Sequence, residues 1–190
     1  MHKLRNASGD SETDLRAQLE DIAGEGRVYV LGLGNTDRAD DGAGVLAALA
    51  LKKLFPSLAF SEHDGVEGTV LDISEKDEDL TVFFIDAANL GEKPGTIRLV
   101  RREDIRDKEI TTHRVAVALM ASLLDRAGKR SAVIGIQPER IEFQGRVTPT
   151  VEKSIVAVVS VLEQVMHKND RSVMKKHRKT KRKILLREPQ

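Results

Sequence analysis

Between Arg27 and Met166 strand-like and helix-like segments take turns along the chain, and this alternation restricts the fold more than any other feature. A strand followed by a helix and another strand can bury both apolar faces only by laying the helix across a parallel pair. Arg27–Leu33 reads as a first strand. Gly42–Leu54 places Val45, Leu46, Leu49 and Leu54 along one helical stripe, and Pro56 stops it. Leu58–His63 is a short second strand. Leu80–Asp86 is a buried third, since five of its seven residues are apolar and aromatic or β-branched residues dominate. Thr96–Arg101 alternates like an edge strand. Thr111 or Thr112 caps a helix running to about Ala127, with Val115, Leu119, Ser122 and Leu123 inward. Ala132–Ile136 is a further buried strand and Ile141–Arg146 a weaker one. Thr148-Pro149 opens a last helix through Ile155, Val159, Leu162 and Met166. The expected fold is α/β, a three-layer α/β/α sandwich with a mostly parallel twisted sheet.

The two ends differ from this body. Ser11 and Asp14 are spaced as a capping box ahead of Leu15, Leu19 and Ile22, so a short amphipathic helix is expected before Gly24 and Gly26 break it. From His167 to Gln190 there are ten Lys or Arg against two Asp or Glu, and the whole-chain charge of +1 therefore leaves residues 1–166 at −7. The run Lys175-Lys176-His177-Arg178-Lys179-Thr180-Lys181-Arg182-Lys183 reads as a solvated, disordered tail. It would attract RNA, an acidic membrane surface or an acidic partner by a nonspecific pull that weakens with salt. The expected organisation is an N-terminal extension over 1–26, one domain over 27–166 and the basic tail over 167–190.

Composition removes several functions. With no cysteine in 190 residues there is no thiol nucleophile, no thiolate metal site and no disulfide framework. No apolar run reaches the roughly 20 residues of a membrane span, and Met1–Asp14 lacks the apolar centre of a signal peptide. A cytoplasmic protein is expected. Gly32-Leu33-Gly34 follows a strand as in a dinucleotide loop, but the third glycine of that pattern would fall at Asp37. P-loop, H-E-x-x-H and G-x-S-x-G motifs are absent. At 3% aromatic residues, a stacking surface for specific nucleic-acid binding is not expected.

Chemistry is concentrated in three residues that follow strands or open helices: Asp41, Asp86 and His113. If the strands are parallel neighbours, these side chains meet at the carboxyl edge of the sheet, where α/β proteins bind ligands. Two carboxylates and an imidazole suit a borderline divalent ion such as nickel or zinc, and three protein ligands leave positions open for substrate. Each residue alone has an ordinary reading: Asp40 or Asp41 as a helix cap, Asp86 as a strand-end residue tying down a loop, His113 as an exposed first-turn histidine.

The order of several short motifs resembles the hydrogenase maturation endopeptidases. These are Gly32-Leu33-Gly34-Asn35, Asp40-Asp41-Gly42-Ala43-Gly44, Asp64-Gly65, Ile85-Asp86-Ala87, Pro94-Gly95, Thr111-Thr112-His113, Gly135-Ile136-Gln137-Pro138-Glu139 and Thr148-Pro149-Thr150-Val151-Glu152. The resemblance spans about residues 28–166. It implies a nickel-dependent endopeptidase that removes the C-terminal extension of the immature large subunit of a nickel-iron hydrogenase, with Asp41, Asp86 and His113 as metal-binding and catalytic residues. Nickel is expected to arrive with the precursor. The alternative is an assembly factor that senses nickel in the same precursor without cutting it.

Overall fold

The computed structural model describes residues 12–100 and 114–185. Five strands, β1 (Arg27–Gly32), β2 (Ala59–Ser61), β3 (Leu80–Ala87), β4 (Ile97–Val100) and β5 (Arg130–Ile136), form one sheet in the order β2-β1-β3-β5-β4. All pairs are parallel except β4 with β5, where Ile97 lies opposite Ile136 and the chain runs back along the edge. Every residue of β3 is buried, as its unbroken apolar run requires of a central parallel strand.

Helices cover both faces. On one side α1 (Glu12–Ala23) and α2 (Ala43–Lys52) flank α5 (Pro149–Leu185), and on the other α3 (Val66–Ser74) packs beside α4 (Arg114–Arg126). The mostly parallel three-layer arrangement read from the alternation is therefore what the chain adopts. Among the described residues no helix is long and apolar enough to cross a membrane.

Several local expectations are corrected. In α2 the inward side consists of Ala43, Gly44, Val45, Ala47, Ala48 and Leu51, whereas Leu46 and Leu54 are exposed and Leu49 is half-buried. In α4 the core takes Val117, Met120, Ala121 and Leu124, leaving Val115, Leu119 and Leu123 outside. Ile141–Arg146 is not a strand but a turn, touching the neighbouring loop through one bridge between Arg38 and Gly145. Helix α3 was not anticipated, although Val66, Val70 and Ile73 have helical spacing and are its buried residues. The cap expected at Thr111 or Thr112 lies outside the described residues.

The last helix does not end near Met166, so the boundary expected at 166/167 falls inside it. Its inward stripe continues through Asn169 and Val173. The Asn169 amide donates to the carbonyls of Gly24 (3.1 Å) and Gly26 (2.7 Å), while Lys168 pairs with Glu20 and Lys176 with Glu25. These contacts fasten the α1–β1 connection to the helix. Further on, Lys and Arg are good helix formers, and the backbone stays helical to Leu185.

A 3-10 turn over Glu62–Asp64 follows β2 and is closed by Asp64, which accepts from the Ser61 N–H (2.8 Å) and hydroxyl (3.2 Å) and pairs with Lys52. The Lys52 ammonium, then the Ser61 N–H, hold the Asp64 carboxyl below its ordinary value of 3.8. A carboxyl whose folded pKa is depressed contributes stability above its unfolded pKa, near 4, and loses it as pH falls through the folded value. Lys52→Met is therefore expected to lower stability at pH 7 by less than about 1 kcal/mol, because the pair is part-exposed. The difference from wild type in urea midpoint should shrink as pH falls below about 4; a difference that stays constant with pH would assign the loss to Lys52 packing instead.

Candidate active site

The sheet order dictates where a site can form. From β1 the chain moves outward to β2 and then returns across β1 to β3, so the connections leave β1 and β3 in opposite directions and open a crevice between their carboxyl ends. Asp86 stands at the end of β3 in register with Gly135, and its two carboxylate oxygens are shut off from solvent. Asp41 lies in the 3-10 turn Ala39–Gly42 that follows β1, is 2% exposed, and belongs to a turn packed against β3. Two of the three expected residues are thus buried, Asp86 at a strand end and Asp41 in the turn packed against that strand. His113 lies outside the described residues, next to Arg114 at the start of α4. No cluster of three potential metal-ligating side chains occurs among the described residues.

Glycines make this edge tight. Gly34 has φ +124°, and a Cβ there would meet the Asp41 carbonyl oxygen at 1.8 Å. A Cβ on Gly44 would meet the carbonyl oxygens of Ile85 at 2.1 Å and Leu33 at 2.4 Å. Only hydrogen fits at either position, so α2 begins directly against the ends of β1 and β3, and the Asp41 turn is held between strand and helix.

Asp40 is not a helix cap. Its carboxylate is fully buried and accepts four hydrogen bonds from the far side of the edge: Glu139 N–H (2.9 Å) and Arg140 N–H (3.1 Å), then Thr148 N–H (2.7 Å) and hydroxyl (3.0 Å). Four donors offset the desolvation of a buried charge. The result is a staple between the turn carrying Asp41 and the 139–148 loop after β5. Gln137 plays a parallel part after β3, its side-chain oxygen accepting from Leu90 N–H at 2.7 Å. Neither role was expected from the sequence. The available signals were a second acid beside Asp41 and a Gln-Pro pair closing a buried strand.

The arrangement defines an α/β/α protein with two buried carboxylates at the topological switch point of its sheet. The sequence profile of the family described as "HycI: Hydrogenase maturation protease" matches residues 69–165. The chain is 30% identical over 152 residues to the hydrogenase expression/formation protein HupD of Bradyrhizobium diazoefficiens, covering 75% of this chain and 79% of the relative. It is also 30% identical over 152 residues to the hydrogenase 2 maturation protease of Escherichia coli K12, covering 74% and 88%. In structure it is similar to a [NiFe] hydrogenase maturation protease HycI from Thermococcus kodakarensis (TM-score 0.68, 24% identity, 79% of this chain and 99% of that one). The maturating endopeptidase HybD of E. coli gives a TM-score of 0.57 at 27% identity over 77% and 93%. The chain belongs to the hydrogenase maturation protease family. It is accordingly a hydrolase, an endopeptidase of hydrogenase maturation.

Proposed function

We propose that this endopeptidase removes the C-terminal extension of a nickel-iron hydrogenase large-subunit precursor, and that it does so only when the precursor carries nickel. The observation that carries the reading is the placement of Asp41 and Asp86, both buried at the switch point, in a chain of this family. Two carboxylate oxygens fit a borderline divalent ion, and His113 would supply the imidazole. The ion, brought by the precursor, would polarise the scissile carbonyl or lower the pKa of a water. Asp41 and Asp86 hold their oxygens in a tight, water-poor edge, and one of the two accepts the proton of the attacking water.

The test is intact-mass measurement of a precursor, nickel-loaded or nickel-free, incubated with wild type or with His113→Ala. Wild type is expected to shorten only the loaded precursor, and His113→Ala neither form. Equal cutting of both forms would remove nickel from the reading. Full activity of His113→Ala would remove His113 from the site. A stable complex without mass change would leave a binding role and no peptidase.

A further inference from the structure

We infer that the 139–148 loop is a preformed docking ridge, on which Phe143 seats an apolar side chain of the precursor next to the segment that is cut. This rests on the reading of the carboxyl edge as the place where the precursor is cleaved. Phe143 is 74% exposed and Ile141, two residues before it, 37%. A single exposed apolar residue on a loose loop carries little meaning, but this loop is fixed on both sides of the phenyl ring.

Asp40 binds Glu139 and Arg140 on one side and Thr148 on the other. Immediately after Phe143, Gln144 N–H donates to the Asp37 carbonyl at 2.7 Å, and Gly145 forms a bridge with Arg38. Gly145 N–H returns to the Glu142 carbonyl at 3.3 Å, closing the turn that carries the ring. A Cβ on Gly145 would lie 2.8 Å from the Ala39 Cβ, so the two loops are packed face to face.

Backbone strain falls in the same place. Among the described residues only Ala39 (φ 52°) and Gln144 (φ 57°) are non-glycine residues with positive φ. Such conformations persist where their surroundings over-determine them, and they gather at functional sites. Ala39 leads directly to Asp40 and Asp41; Gln144 directly follows Phe143. The ridge and the Asp41 turn are therefore one mechanical unit. The ridge follows β5, the parallel neighbour of β3, and so borders the carboxyl edge at which Asp86 ends its strand.

An aromatic side chain whose backbone is already ordered is an effective anchor, because little freedom is lost when a partner covers it. The occupant that fits is an apolar side chain of the precursor polypeptide. Phe143 then acts as a specificity-determining residue that adds binding in ground and transition states alike.

The experiment compares wild type, Phe143→Ser and Phe143→Leu on nickel-loaded precursor, reading KM and kcat by mass, Kd by biolayer interferometry and Tm by calorimetry. Phe143→Ser is expected to keep its Tm and kcat and to raise KM and Kd about tenfold or more, with Phe143→Leu recovering most of the loss. Unchanged KM and Kd in Phe143→Ser would overturn the ridge. So would a fall in kcat alone, or a wild type that binds no precursor. A wild type that binds but does not cut refutes only the cleavage reading, and Kd still decides the ridge.

Discussion

Asp86→Asn is expected to keep the fold and to slow cleavage of nickel-loaded precursor by about a thousandfold or more, which corresponds to about 4 kcal/mol of transition-state stabilisation. The substitution is nearly isosteric at a position that is fully buried at the end of β3, so packing around the strand end is preserved. What changes is charge and donor quality. A neutral amide is a weaker ligand for a divalent ion, and it cannot take a proton from water. With the packing preserved, the Tm of Asp86→Asn is expected to stay close to that of wild type. Single-turnover cleavage followed by intact mass, beside calorimetry of the same samples, reads both effects. Cleavage within tenfold of wild type would exclude Asp86 as a functional ligand. Loss of activity together with a large fall in Tm would give it a structural role only.

Why Asp86 was legible in the sequence and the loop opposite it was not follows from the range of the interactions. Strands β1, β3 and β5 declare themselves locally: each is an apolar, β-branched run, and burial on both faces needs nothing more. Asp86 was visible because it closes such a run, and Asp41 because it ends the loop that follows β1. Helices α1, α2, α4 and the start of α5 were signalled locally too, α3 was not anticipated, and helix phase was not local. In α4 the stretch Val115–Leu124 is apolar nearly all round, so periodicity does not separate Val115, Leu119 and Leu123 from Val117, Met120 and Leu124. Contact with the sheet and α3 decides between the two stripes. In α2 the larger residues Leu46 and Leu54 suggest the inner face, yet the helix lies so close to β1 and β3 that the innermost position must be Gly44. Close approach favours small residues, and a count of apolar residues overlooks them. The length of α5 depended on a further distant event, the docking of Asn169 onto the carbonyls of Gly24 and Gly26, some 145 and 143 residues earlier.

Asp40 is the extreme case of that distance, and its replacement is the second large effect expected. Its partners Glu139, Arg140 and Thr148 lie 99, 100 and 108 residues away, and three of the four donors are backbone N–H groups that any residue except proline would supply. No sequence pattern could announce them. Asp40→Ala leaves those N–H groups and the Thr148 hydroxyl without their acceptor in a buried space, and is expected to lower stability by about 3–5 kcal/mol, as for one partner lost from a buried charged network. Asp40→Asn keeps one oxygen but turns an amide N–H toward at least one donor, so a smaller loss is expected. Urea midpoints at constant m-value measure both; a change below about 1 kcal/mol in Asp40→Ala would show that water replaces the staple. The same variant connects stability to recognition. If Asp40 fixes the ridge that presents Phe143, then Phe143→Ser should raise KM much less in the Asp40→Ala background than in wild type, measured below the Tm of both. Independent, additive effects would mean that Asp40 holds the fold together without setting the ridge.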